Sequence, residues 1–418
     1  MNRNADRRIT FGGLATAATL LGFAVASSTL PEGTRRGWWL PLHLGLAGAG
    51  GTAVASVLPF FTTALAVARP AAPAIRITAI ALVATGSITV SAGVASGLSV
   101  VAVAGGLLYM AGLTALAVAA FGTLARSLGP ARRRLWIAYG VAIGEVVIGV
   151  AMATALLAGY APVADRWGVL KPAHAWLNVF GFLSLTVAAT LVHLAPTVAG
   201  TRIRPRRSAS LAIVALIAGV PLVATGFATG SDLIARSGAL TELVGAVALV
   251  AHALAVQRDH GQWTTDPAWH RLTAWSMVAA PAWFLVATIG AGGRIVVMGA
   301  VPAAWSLSGV AAPLALGWVA QVLVGAWSHL LPAIGPGDMR THARQRRILG
   351  RGATARVLAL NVGVALLTVG DILAWVPASA AGAALAGASV IAALATFLAA
   401  AWPGHVLRPS AGPKVEGT

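Results

Sequence analysis

The chain contains no cysteine, little charge and almost no lysine. Without a thiol there is no disulfide framework, and a blue-copper centre, which needs a thiolate, is ruled out within this chain. Only 10% of its 418 residues are charged, while 58% are hydrophobic; soluble domains carry about 25% charged residues. That deficit excludes an ordinary water-soluble enzyme and a disordered chain alike. A phosphate loop of the form GxxxxGK[ST] and an HExxH zinc motif are both missing. So is a persuasive Ser-His-Asp order. Lysine occurs only at Lys171 and Lys414, so the formal net charge of +18 is carried by arginine. The arginines do not form one soluble face, as a nucleic-acid interface would require. They sit in short clusters between long apolar runs, the pattern of a polytopic membrane protein.

Apolar runs of about 20 residues, enough to cross a bilayer, fall at 9–30, 38–67, 74–96, 98–124, 135–160 and 171–199. Six more fall at 210–230, 236–257, 272–292, 307–332, 355–376 and 380–402. Twelve spans with a cytoplasmic N-terminus place 23 of the 29 Lys and Arg residues on the inner side. These include Arg7, Arg8, the Arg132–Arg134 run, Arg202 to Arg207 and Arg340 to Arg356. Arg35, Arg36, Arg166, Lys171, Arg236 and Arg294 fall outside. This asymmetry predicts that both termini are cytoplasmic. The expected fold is therefore all-α, with one integral membrane domain over 1–402 and a cytoplasmic tail over 403–418. The region 272–304, broken by Pro281 and Gly292-Gly293, leaves room for an extra half-helix. Trp38, Trp39, Trp167, Trp305 and Trp375 mark outer ends, where indole rings settle at headgroups.

The spans also repeat. The second, sixth and tenth begin Pro41-Leu-His43-Leu-Gly45, Pro172-Ala-His174-Ala-Trp176 and Pro313-Leu-Ala315-Leu-Gly317. They end at Leu58-Pro59, His193-Leu-Ala-Pro196 and His329-Leu-Leu-Pro332. One span later come Thr85-Gly86, Thr225-Gly226 and Thr368-Val-Gly370. The pattern predicts three four-helix units, about 9–125, 135–257 and 272–402, unlike the six-plus-six plan of many transporters.

Ionisable groups inside a span are costly and point to function. His43 and His174 lie at the outer ends of spans two and six, each after a proline. His193, His252 and His329 lie near inner ends. His174 and His193 are 19 residues apart, roughly 28 Å along a helix, and so belong to different sites. His260, His270, His342 and His405 are expected in loops or the tail. Neutral imidazoles ligate metals, and two of them suit a haem iron between helices. Gly45, Gly48, Gly50, Gly51 and Gly181 would offer a porphyrin close approach, and Asn178, one turn after His174, would support its ring. His193, His329 and His252 are candidate metal ligands on the inner side. Glu145, near mid-membrane, is a candidate proton relay. Glu242 and Asp371 have a structural alternative, pairing with Arg236 or Arg294.

The stretch Lys171-Pro-Ala-His174-Ala-Trp-Leu-Asn178-Val-Phe-Gly181, running on to Pro196-Thr-Val-Ala-Gly-Thr-Arg202-Ile, resembles the N-terminal membrane region of bacterial copper-oxidase fusion proteins. There a polytopic domain precedes cupredoxin domains of the multicopper oxidase or copper nitrite reductase type. Trp38-Trp-Leu-Pro-Leu-His43-Leu, Ala320-Gln321-Val-Leu-Val-Gly325-Ala-Trp-Ser-His329-Leu-Leu-Pro332 and the stretch Arg356 to Leu366 around Asn361 are similar to further segments of that region. The threefold, twelve-span plan is more distantly similar to the catalytic subunit of haem-copper oxidases. That likeness maps His43 to a haem ligand and His174 to a metal-site histidine. It departs in span seven, which lacks a histidine pair, and at Ala315, so an oxygen-reducing binuclear centre is not implied. Together these resemblances imply a redox protein of the bacterial cytoplasmic membrane, holding haem or copper. Quinol and a separate cupredoxin-type copper enzyme on the outer side are the implied partners, with membrane lipids and no nucleic acid. A small-molecule or metal-ion transporter or sensor, and a non-catalytic scaffold for a redox complex, stay open on the residues alone.

Overall fold

A computed structural model of the chain describes residues 3–126, 133–204, 206–335 and 338–401. Arg132 of the inner arginine run and the tail 403–418, with His405, lie outside the described residues. Among those described there is no strand, and twelve helices are long and apolar enough to span a membrane. They are α1 (Asp6–Ser27), α2 (Trp39–Ala66), α3 (Pro73–Ser96), α4 (Ser99–Leu124), α5 (Leu135–Leu157) and α6 (Trp167–Val198). Then follow α7 (Arg207–Thr229), α8 (Asp232–Arg258), α9 (Pro267–Met298), α10 (Pro313–Ala333), α11 (Ala353–Ile372) and α12 (Val376–Ala401). The chain is an all-α, multi-pass membrane protein. Backbone groups have no water to bond in hydrocarbon, and a helix satisfies them internally.

The region around Pro281 holds one long helix, α9, rather than a span plus a half-helix. Pro281 is accommodated inside it, and the chain then turns through a short 3₁₀ segment, Pro302–Ala304. An eleven-residue basic helix, Met339–Leu349, follows α10. It buries Gln345, Ile348 and Leu349 and exposes Arg340 and Arg347. Asp338 caps it, accepting from the Thr341 amide at 2.8 Å, and those Thr341 bonds hold the Asp338 carboxyl below the usual carboxylate range.

Helix hairpins α3–α4, α7–α8 and α11–α12 are zipped by glycine. A Cβ on Gly86 would lie 2.5 Å from the Tyr109 backbone nitrogen, and one on Gly226 would lie 2.6 Å from the Ala235 Cα. Gly363 faces Ala386 in the same manner. In lipid the hydrophobic effect does not drive helices together, so close backbone approach supplies the dispersion that does.

Three π-helical segments interrupt the bundle: Leu44–Gly50 in α2, Leu177–Leu185 in α6 and Pro313–Ala320 in α10. They fall in the three spans that carry the proline-led motifs. A π turn widens the helix and frees carbonyls from their usual partners. Side chains take these up: Tyr109 Oη donates to the Ala47 carbonyl at 3.1 Å, and Ser184 Oγ donates five residues back to Val179 at 2.9 Å. The α2 and α6 segments meet where Gly50 packs on Leu183. Helix α6 is the centre of the bundle, with 78% of its apolar window buried, against 17% for α12.

Ion-paired contacts pin the inner surface, Arg206 with Asp259 among them. Arg76, buried at the start of α3, pairs with Asp6 and donates to Thr10 Oγ1 at 2.8 Å. Arg346 donates to Asp266 at 2.7 Å and lies over the Trp269 ring.

Candidate functional site

The outer ends of α2 and α6 each present one histidine beneath a tryptophan. Trp39 stacks on His43 with centroids 4.0 Å apart, and Trp167 tilts over His174 at 5.7 Å. His43 Nδ1 is 2.8 Å from the Trp39 carbonyl one turn earlier. His174 Nδ1 is 2.8 Å from the Gly149 carbonyl of α5. A carbonyl only accepts, so Nδ1 carries the proton in each neutral ring and Nε2 keeps its lone pair. The two rings lie within electrostatic reach of each other. Each histidine of the outer-side pair thus has its ring held by a backbone carbonyl at the end of its own span.

Asn178 is drawn into the same contact. Its amide nitrogen donates to the His174 carbonyl at 2.5 Å and sits 3.2 Å from Nδ1. A Cβ on Gly149 would collide with it, so that glycine admits both His174 and Asn178 to the α5 backbone. One turn further along α5 is Glu145, whose carboxylate occupies the space left by Gly181. Glu145 is 3% exposed and neither of its oxygens has a hydrogen-bond partner. Glu242 of α8 is fully buried and lies within electrostatic reach of Glu145. Trp176 Nε1 donates to Glu242 Oε2 at 2.8 Å, while Oε1 is unpartnered.

The arginine partners open to the other acids are otherwise engaged. Arg236 pairs with Asp232 at 3.7 Å, Arg294 donates to the carbonyls of Ser306 and Ser308, and Asp371 accepts from the Gly309 amide. Trp176 was not legible as a partner of Glu242, because residues on different spans carry no spacing signal.

The inner histidines disperse. His252 is buried against the α6 backbone at Val192, with the charge of Arg206 nearby. His193, the next residue after Val192, is half-buried. His329 stacks on Trp269 at 5.5 Å, and its histidine neighbour is His270. His270 is therefore not a solvated loop residue: it sits in the first turn of α9, stacked on Trp263 and edge-on to Trp269. Among the described residues, no three His, Cys, Asp or Glu side chains come together to hold a metal ion.

An aromatic series leads from the outer loop into the core. Trp305 meets Trp176, which stacks on Phe180 at 4.4 Å; Phe180 approaches Phe284, which packs on Trp318 at 5.0 Å. These contacts join α6 to α9 and α10. No protein-family model matches the chain, and no curated protein matches it.

Proposed function

We propose that this is a redox-type protein of the bacterial cytoplasmic membrane that holds a transition metal between His43 and His174. The observation that carries the reading is that each imidazole is tied through Nδ1 to a backbone carbonyl, with Nε2 left as donor atom. Such a tie fixes ring orientation and raises ligand basicity. Two imidazole nitrogens suit copper or haem iron. The glycines that a porphyrin would need are already met by side chains: Gly45 by Ala24, Gly48 by Ser87, Gly50 by Leu183 and Gly51 by Tyr109. That packing favours a copper ion over haem. The metal's contribution when bound is one-electron transfer.

The chain's own part is to hold the donor atoms and exclude water. Trp39 and Trp167 cover the rings, and Asn178 with Gly149 sets the depth of His174. Quinol as electron source and a separate cupredoxin-type copper enzyme as outer-side acceptor complete the reading. Metal analysis and an absorption spectrum of purified protein test it. Bound copper lost in both His43→Ala and His174→Ala supports it, and a Soret band lost in the same variants shifts the centre to haem. Colourless, metal-free protein after copper loading overturns it. Transport of a small ion is the second reading, favoured by the buried carboxyls of Glu145 on α5 and Glu242 on α8.

A further inference from the structure

Between α9, α10, α11 and α12 lies a cavity lined by neither histidine nor aromatic residue. Apolar side chains such as Leu360 and Val390 form part of its wall. Four polar side chains complete it, one from each helix: Ser276, Gln321, Arg356 and Ser389. None of the four is more than 8% exposed. The space admits about one water-sized occupant.

The hydrogen-bonding capacity of this wall is unequally spent. Ser276 Oγ donates to the Leu272 carbonyl at 2.7 Å, and Ser389 Oγ donates to the Arg356 carbonyl at 2.7 Å. Arg356 Nη1 donates to the carbonyls of Leu349 and Arg351 at 3.1 and 3.2 Å and to Thr396 Oγ1 at 3.0 Å. Its Nε and Nη2, the side-on fork of the guanidinium, have no partner, and neither do the two amide atoms of Gln321. No ion pair reaches Arg356 among the described residues. The four helices carry a single carboxylate, Asp371, which is committed to the Gly309 amide at the outer end. Their other ionisable groups, His270, Arg271, Arg294 and His329, bring no negative charge. The Leu349 carbonyl ends the basic helix, and such a terminus offsets only about half a unit of charge.

We infer that this cavity binds one monoatomic anion, a halide ion such as chloride, on the free edge of Arg356 and the amide N–H groups of Gln321. A guanidinium buried within a span needs a counter-charge, and the lining helices supply no full one. The fork aims two parallel N–H bonds at one point, and the amide adds a donor from α10. A carboxylate or a phosphate suits the fork but not the space, which a single spherical ion fills. A cation is repelled by Arg356. The site is separate from the metal between the histidines and does not rest on it.

Thermal unfolding of the full-length protein in detergent tests the inference, in sodium gluconate titrated with sodium chloride at constant ionic strength. Wild type should gain roughly 3–6 °C in Tm at chloride ten times its Kd, and bromide should act likewise. In gluconate alone Gln321→Leu should melt above wild type, and its response should need roughly ten to a hundred times more chloride. Arg356→Gln should not respond to chloride. Equilibrium dialysis against chloride-36 should find about one ion per wild-type chain, reading the site without any variant that might misfold. Wild type indifferent to chloride in both measurements overturns the inference and leaves water in the cavity. A Tm gain that persists unchanged in Gln321→Leu also overturns it, as a general effect of salt.

Discussion

Gly226→Ala is the sharpest probe of how the bundle is held together. The added methyl would lie 2.6 Å from both the Cα and the Cβ of Ala235, and closer still to its backbone nitrogen. Carbon atoms settle about 3.5–4.0 Å apart, so α7 and α8 must separate by about 1 Å at this level. No flexible side-chain end is available to give way, because the atoms met are backbone or Cβ. Over-packing of this kind costs about 1–3 kcal/mol. In a chain of this size each kcal/mol lowers Tm by at most about 2–4 °C. Thermal unfolding in detergent should therefore show Gly226→Ala melting below wild type by roughly 2–12 °C at most. Gly144→Ala is the matched control: it too lies in a helix, and its Cβ meets nothing within 4 Å. It should melt at or slightly above wild type, since alanine is the better helix former. If Gly226→Ala melts with Gly144→Ala, the hairpins are not zipped by backbone contact and the reasoning fails.

Trp176→Phe keeps the ring stack on Phe180 but strips the Glu242 side chain of the hydrogen bond to its Oε2, which should cost about 1–3 kcal/mol in unfolding measurements. Gln321, fully buried with both amide atoms unpartnered, should show the opposite sign: Gln321→Leu is expected to raise Tm, and a clear fall would reveal a hidden partner for the amide. Asp6→Asn leaves the buried Arg76 guanidinium without its counter-charge, so the variant should lose about 3–5 kcal/mol, read as early melting. The cysteine-free chain also permits a direct orientation test. Single cysteines at the exposed positions Glu32 and Thr264 should react differently with a membrane-impermeant maleimide, Glu32→Cys in intact cells and Thr264→Cys only after lysis. Equal labelling of both in intact cells would refute the inside placement of the arginine clusters.

The spans were legible because twenty apolar residues in a row admit few other structures, and the arginine asymmetry fixed their number. The helix through Pro281 was ambiguous for a physical reason: proline and paired glycine break helices in water, yet neighbouring helices in a bundle hold them straight. At the site, the proline-led motifs marked His43 and His174 at equivalent positions of α2 and α6. Asn178 was visible as a neighbour one turn away. The carbonyl of Gly149, the Trp176 bond to Glu242 and the packing of Glu145 on Gly181 were not visible, since each joins residues on different spans. His270 was misplaced by a few residues of helix boundary. At a membrane end, that margin decides between solvent and a packed aromatic cluster.

The π-helical segment of α6 has a consequence for how such a protein tolerates change. It stands between the outer turns bearing His174 and the inner helix Thr186–Val198. Wound as an ordinary α-helix, the same residues would turn the outer portion by up to about 100° more relative to the inner one. His174 would swing away from the Gly149 carbonyl while every inner contact stayed in register. The widened turn therefore works as an angular setting between two layers of the membrane, and the spacing from Leu177 to Leu185 matters more than the identity of most side chains within it.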